Sequence, residues 1–235
     1  MTVLVAASSP IGFAIAADGR RVSANGEHWS DSAQKIWSAV SPSKFAIAYG
    51  WCGNTRLETR VNAFDFPSVS QEVFADVNDT VDNAKPEALF QNFVQGVYLR
   101  LRWFLEGVDS SLSNIILPEV IAQVLLVGYV GQNPVQFTAT FAHHKGQVQV
   151  PCLRSHDAGE DDLLLLSGSA TLFSNLVGPE NASLEIATET VRRYTQDCVD
   201  HQCSIEDCSS FGGHVHVATV TKDGFHWVIP PIETK

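Results

Sequence analysis

The stretch MTVLVAASSPIGFAIAADGRR, residues 1–21, decides how the chain begins to fold. Two short apolar runs, TVLVAA and FAIAA, flank Ser8, Ser9, Pro10 and Gly12. Those four are turn formers, and two apolar runs about a Pro/Gly turn read as a β-hairpin. The rival reading is a secretory signal, which needs a basic front, and Arg20 is the first basic residue. A hairpin brings Thr2 and Asp18 to the same end of two paired strands.

The totals bound what the hairpin can belong to. The chain has 235 residues, of which 45% are hydrophobic and 17% charged, enough for a sizeable core. A formal net charge of −11 argues against nucleic-acid binding, which needs a basic face. No apolar run reaches the ~18 residues of a membrane span. Five cysteines cannot all pair within one chain, and reduced thiols fit a cytoplasmic protein. Cys198, Cys203 and Cys208 surround His201 at spacings wider than zinc ligand pairs use, so no metal is expected.

Outward from the hairpin, KFAIAYGWCG (residues 44–53) reads as a buried strand ending at glycine. Residues 54–84 mix helical and turn signals, with Pro67 interrupting them, and Pro86 suits a helix start. Leu89, Phe93, Val97 and Leu101 then mark one apolar helix face. VIAQVLLVGYV, VQFTATFAH, QVQVPCL and DLLLLSGS are β-rich. SATLFSNLVG and SLEIATETVRRYTQDCVDHQ read as helices, and HVHVATVT and FHWVI as a last hairpin about Lys-Asp-Gly. Blocks of strands and helices that segregate in this way predict an α+β fold, as one domain over residues 1–235.

Several motifs, in order and nearly in register, resemble the proteasome β-type subunits and their simpler bacterial relatives, which are threonine-type N-terminal nucleophile hydrolases. Thr2 and Asp18 keep that family's spacing from nucleophile to aspartate. SAQKIW is similar to the segment carrying its lysine, here Lys35, and AIAYGWCGN to the strand and turn giving its oxyanion site, here Gly50. LLSGS matches a turn with a supporting serine, here Ser167. DCSSFGGHVHV resembles an Asp-x-x-Ser-Gly-Gly segment, here with Asp207 and Ser210. Residues 54–85 match poorly and look longer than usual. The resemblance implies a four-layer α-β-β-α sandwich of two antiparallel sheets, with two helices on each side. It implies a threonine endopeptidase acting on peptide or unfolded protein inside a ring-shaped homo-oligomer, fed by a separate ATP-dependent unfoldase. It implies no cofactor, and no GxxxxGK[ST] loop appears in the chain itself.

The chemistry behind these motifs is general. A threonine hydroxyl is a weak nucleophile until a base takes its proton. An α-amine with a pKa of about 7.7–8.0 can be that base, but only after Met1 is removed. Lys35 would favour the deprotonated hydroxyl, Asp18 would hold Lys35, and the Gly50 N–H would meet the oxyanion. Asp207, Ser210 and Ser167 would orient the amine. Each residue alone also has a plainer reading. Asp18 before Gly19 could be a turn aspartate, Lys35 a surface lysine, Ser167 a turn filler and Asp207 a local cap. One departure stands out: Phe211 separates Ser210 from the paired glycines, which puts the support of the amine in doubt.

By motif position, Arg21, Ala33, Trp37, Ala48 and Cys52 would line the pocket for the residue before the cut. The expectation is a partly filled pocket with one positive charge, favouring small or acidic side chains, unless Arg21 points to solvent. His214 and His216 alternate with valines, which reads as a half-exposed strand with polar residues outward in preference to a metal pair. Two further functions stay open: a non-catalytic structural subunit, and a small-amide hydrolase on the same fold.

Overall fold

The structure is a computed structural model that describes residues 2–22, 28–59, 62–80, 85–107, 118–144, 147–157, 163–168, 173, 176, 182–202 and 211–232. The opening stretch is a hairpin of β1 (Leu4–Ser9) and β2 (Gly12–Ala17), in register from Leu4 opposite Ala17 to Ser9 opposite Gly12. Short strands β3 (Arg21–Val22) and β4 (His28–Ser30) pair, and β5 (Ile36–Ser41) turns back into β6 (Phe45–Gly53). A small hairpin of β7 (Arg56–Glu58) and β8 (Ala63–Asp65) leads into α1 (Phe66–Val77) and α2 (Pro86–Glu106). The long strands β9 (Val120–Val130) and β10 (Asn133–His144) follow, then β11 (Gln147–Val148), β12 (Cys152–His156) and β13 (Leu163–Ser167). The chain closes with α3 (Leu184–Gln202), β14 (His216–Thr221) and β15 (Gly224–Ile229).

Two antiparallel sheets result. One has the order β13-β1-β2-β14-β15, and the other the order β11-β10-β9-β6-β5 with β12 also on β10. The hairpin lies at the centre of the first sheet and is buried on both faces, so it reads as an unbroken apolar run instead of an alternating one. Leu4, Phe13 and Ile15 face Ile36, Leu125 and Val127 of the second sheet. Val3, Val5 and Ala14 face the other way, against Ala187, Val191 and Tyr194 of α3. The outer face of the second sheet buries Tyr49 and Trp51 under α1 and α2, where Leu89, Phe93, Val97 and Leu101 form the expected stripe. The layers are therefore helix, sheet, sheet, helix, the α+β sandwich expected from the sequence. Among the described residues one helix, α3, covers the first sheet. The SATLFSNLVG segment falls almost wholly outside them.

Three local readings change. Pro67 begins a helix instead of interrupting one: it sits in the first turn of α1, and the Asp65 side chain caps that turn by accepting from Ser68 N–H at 2.9 Å. Residues 54–84 thus hold a hairpin and a helix that packs on the core. The penultimate strand starts at His216, not His214. Among the described residues, no helix is long and apolar enough to cross a membrane.

Phe93 carries much of the helix-side packing. It is fully buried and stacked on Phe74, with ring centroids 4.3 Å apart. Phe93→Ala is expected to destabilise the protein by about 4 kcal/mol, read as a lower midpoint in urea with an unchanged slope.

Candidate active site

The hairpin register sets the site. Because Leu4 lies opposite Ala17, the next residue outward, Asp18, comes beside Val3. Asp18 is fully buried, and its carboxylate is filled with donors. Oδ1 accepts from Val3 N–H and from the Lys35 ammonium, both at 2.8 Å. Oδ2 accepts from Gly212 N–H at 3.0 Å and from Arg20 N–H at 3.4 Å. The last bond is the turn-aspartate pattern, long and secondary to the other three. Lys35 is only 7% exposed, so it is not a surface lysine. Burial lowers its pKa, while the charge of Asp18 and the hydrogen bond to it oppose the shift. A buried pair of this kind is held by its bonds, and removing one partner leaves an uncompensated charge at a cost of about 3–5 kcal/mol.

The segments around the pair are tied together through their backbones. Ala33 N–H donates to the Gly19 carbonyl at 2.9 Å, and His214 N–H to the Asp31 carbonyl at 2.7 Å. The Arg20 guanidinium pairs with the Asp31 carboxylate at 2.7 Å. Gly213 has φ +75°, and a Cβ there would lie 2.3 Å from the Asp31 carbonyl oxygen, so the second glycine is required. Phe211, which precedes these glycines, turns inward: it is 5% exposed and packs in the α3-side core. Gly212 N–H next to it reaches Asp18.

The other sequence candidates fall into distinct places. Thr2 is 7% exposed and directly precedes the amide that Asp18 holds. Gly50 lies inside β6, paired with Ile36 and Leu125, and a Cβ there would come 2.5 Å from a Leu4 methyl. Close approach of the two sheets is therefore one reason for that glycine. Ser167 ends β13 opposite Leu4, half-buried. Asp207 and Ser210 lie outside the described residues. Of the pocket candidates, Arg21 and Cys52 act electrostatically on Lys35. Burial pushes the Cys52 thiol up to about 12, with Lys35 pulling the other way. Ala33 is half-buried, in the segment leading to Lys35. Ala48 is fully buried between the sheets. Trp37 does not join it: its ring stacks on Tyr49 and packs with the helix-side core. Among the described residues, no group of three or more His, Cys, Asp or Glu side chains could hold a metal ion.

Comparison with known proteins places this geometry on a known fold. No protein-family model matches the sequence, and no curated protein does. Solved structures do. An Anbu (Gly-1) mutant from Hyphomicrobium sp. strain MC1 is similar with a TM-score of 0.59 at 12% identity, covering 97% of this chain and 85% of that one. Anbu (ancestral beta-subunit) from Yersinia bercovieri gives 0.57 at 11%, over 97% and 87% of the two chains. The helical assembly of the Anbu complex from Pseudomonas aeruginosa gives 0.59 at 14%, over 99% and 88%. These findings correct the family named from the sequence. The similar structures are Anbu proteins, a proteasome-like family distinct from the proteasome β-type subunits. At this identity the likeness establishes the fold.

One residue at the site was misplaced by the sequence. His216 does not face outward from a half-exposed strand. It pairs with Ala17 and is fully buried, and neither ring nitrogen has a hydrogen-bond partner among the described residues. Its neighbours Val215 and Val217 pack on the α3 side, which turns His216 towards the space between the sheets. His214, by contrast, is half-buried and engages the Pro230 carbonyl through Nε2 at 2.8 Å. Both faces of β14 are buried from His216 to Val220, so alternation of residue types along it marks no solvent side.

Burial, then the charges of His214 and Lys35, hold the His216 pKa down to about 3 from 6.5. As pH falls through 6.5 the unfolded chain takes a proton that the folded chain refuses, so stability is lost progressively down to about 3. His216→Phe removes this linkage. Its melting temperature is expected to fall less than that of the native protein between pH 6.5 and pH 4, and parallel curves would contradict the assignment.

Proposed function

We propose that this chain is a threonine-type peptidase subunit, one domain over residues 1–235, working in a ring-shaped homo-oligomer. The observation that supports this most is one oxygen atom. Asp18 Oδ1 accepts both the Val3 amide and the Lys35 ammonium at 2.8 Å, so a buried lysine is fixed beside the backbone that follows Thr2.

The reaction follows from that placement. Removal of Met1 frees the Thr2 amine, which takes the proton of the Thr2 hydroxyl as Oγ attacks the peptide carbonyl. Lys35 favours the developing alkoxide, and burial makes its own proton easier to pass on than that of an exposed lysine. The oxyanion is assigned to the Gly50 N–H, and the amine is oriented by Ser167, Asp207 and Ser210. The C–N bond breaks as the leaving amine gains a proton, which leaves an ester on Thr2. Water then hydrolyses the ester and restores the hydroxyl.

Arg21, Ala33, Ala48 and Cys52 remain the residues assigned to the pocket before the cut, and the Arg21 charge supports a preference for small or acidic side chains. A helical assembly is the state named for the Pseudomonas aeruginosa Anbu complex, and it lends support to self-assembly here. In such an assembly the substrate is unfolded protein in the cytoplasm, delivered by a separate ATP-dependent unfoldase.

A fluorogenic peptide panel tests the reading. The native protein is expected to cleave after small or acidic residues, and Thr2→Ala and Lys35→Ala each to lower kcat/KM by about a thousandfold or more. Cleavage surviving in Thr2→Ala would remove Thr2 as nucleophile. A preference for basic residues would overturn the pocket. Turnover of small amides alone would point to an amidase on this fold. No turnover, with Met1 retained, would mean a structural subunit.

A further inference from the structure

A row of polar side chains runs across the second sheet from Cys52. Cys52 on β6 is the cross-strand partner of Gln123 on β9, and Gln123 is the partner of Thr140 on β10. Directly opposed residues point to the same face of a sheet. Here that face is the inner one, because Ala48, four residues back along β6, and Leu125, two residues on along β9, lie between the sheets. Cys52 is 4% exposed, while Gln123 and Thr140 are half-buried, so the row opens outward from Cys52.

Two contacts between the sheets bring Thr2 to the level of this row. Phe13, opposite Ser8 on β1, has its ring centroid 5.7 Å from that of Tyr129, which lies opposite Ala46 on β6. Four residues further along each strand, Leu4 packs on Gly50, where a Cβ would come 2.5 Å from a Leu4 methyl. The two strands therefore keep step, and two more residues on each bring Thr2 level with Cys52. Val3 faces α3, which turns Thr2 towards the second sheet.

The Gln123 amide is held from both sides. Its Nε2 donates to Thr140 Oγ1 at 3.0 Å, and its Oε1 accepts from the Cys52 thiol, with the sulfur at 4.0 Å. Burial pushes the Cys52 thiol up to about 12, so it stays a donor at neutral pH and keeps the amide oxygen on its side. The Gln123 side chain makes no other hydrogen bond among the described residues. An amide has two N–H donors and two lone pairs, so one of each remains, one strand (~5 Å) away from Cys52. A side-chain carboxamide answers both with its own carbonyl and NH2. A carboxylate answers the N–H alone. A leucine covers both and answers neither, which penalises its binding. We propose that Gln123 is a specificity-determining residue of the pocket: its amide, pinned between Thr140 and Cys52, selects a carboxamide side chain, Asn or Gln, before the cut over an apolar one of similar size. The inference deepens the peptidase reading and rests on it for the identity of the pocket.

Two fluorogenic peptides that differ only in Asn or Leu before the cut test it. For the native protein, kcat/KM on the Asn peptide is expected to exceed that on the Leu peptide by about tenfold or more. Gln123→Leu, which keeps the size of the side chain, is expected to bring the ratio to about one or below. Thr140→Val, which releases Nε2 and leaves Gln123 in place, is expected to lower it by about threefold. A native ratio near one, or the native ratio retained in Gln123→Leu, would overturn the proposal. The native ratio retained in Thr140→Val would overturn the pinning by Thr140.

Should Gln123→Leu fail to fold, or the native protein cleave neither peptide, the side-chain NH2 signals of Gln123 in the 1H–15N spectrum decide. They are assigned by their loss in Gln123→Glu, and the probes are N-acetyl tripeptide acids ending in Asn or in Leu. The Asn peptide is expected to shift these signals and the Leu peptide to leave them in place. No shift, or equal shifts with both, would overturn the proposal. A selective shift without cleavage would count against the peptidase reading and uphold Gln123 as the residue that reads the side chain.

Discussion

The Asp18 carboxylate is the point at which three distant parts of the chain meet. One oxygen binds the amide of Val3, at the start of the central hairpin, and the ammonium of Lys35, carried in from the approach to β5. The other binds Gly212, on the approach to β14. An uncompensated carboxylate would be costly in this fully buried place, and the same cost makes each of these bonds strong. The arrangement around it is correspondingly strict. The Asp31 carbonyl holds His214 N–H and leaves no space for a side chain on Gly19 or Gly213. The requirement to satisfy one buried charge thus fixes where the second residue of the chain can lie, and any chemistry at Thr2 inherits its geometry from Asp18.

Much of this was legible in the sequence because it rests on local rules. The Ser-Ser-Pro and Gly12 turn gave the hairpin, and the hairpin register gave the neighbourhood of Thr2 and Asp18. The four-residue spacing from Leu89 to Leu101 gave the buried face of α2. What was not legible depends on which face a residue turns to within the sandwich. Pro67 looked like an interruption because its role depends on Asp65 capping the turn before it. Trp37 follows the lysine segment, yet its side of β5 looks to α1 and α2. His216 looked solvated because alternation separates two faces without saying that both are buried. Phe211 looked like a disruption, and its side chain fills the α3-side core while Gly212 keeps its bond to Asp18.

The same logic explains why the family named from the sequence needed correction. Lys35 and Gly212 bind the Asp18 carboxylate, Gly50 lies where the two sheets approach closely, and Gly213 lies against Asp31. They mark the fold and its site, and several families can share both. Whole-chain likeness to Anbu structures, at 11% to 14% identity, gives the fold more securely than the motifs did. It leaves activity to be argued from the site.

The central claim is that the Asp18 and Lys35 pair serves a nucleophile at Thr2. Intact mass of the purified protein, with and without a peptide epoxyketone, tests it most directly. The account predicts a chain lacking Met1 that gains a single inhibitor mass, mapped to Thr2 and abolished by Thr2→Ala. A chain that keeps Met1 and gains no adduct would contradict it.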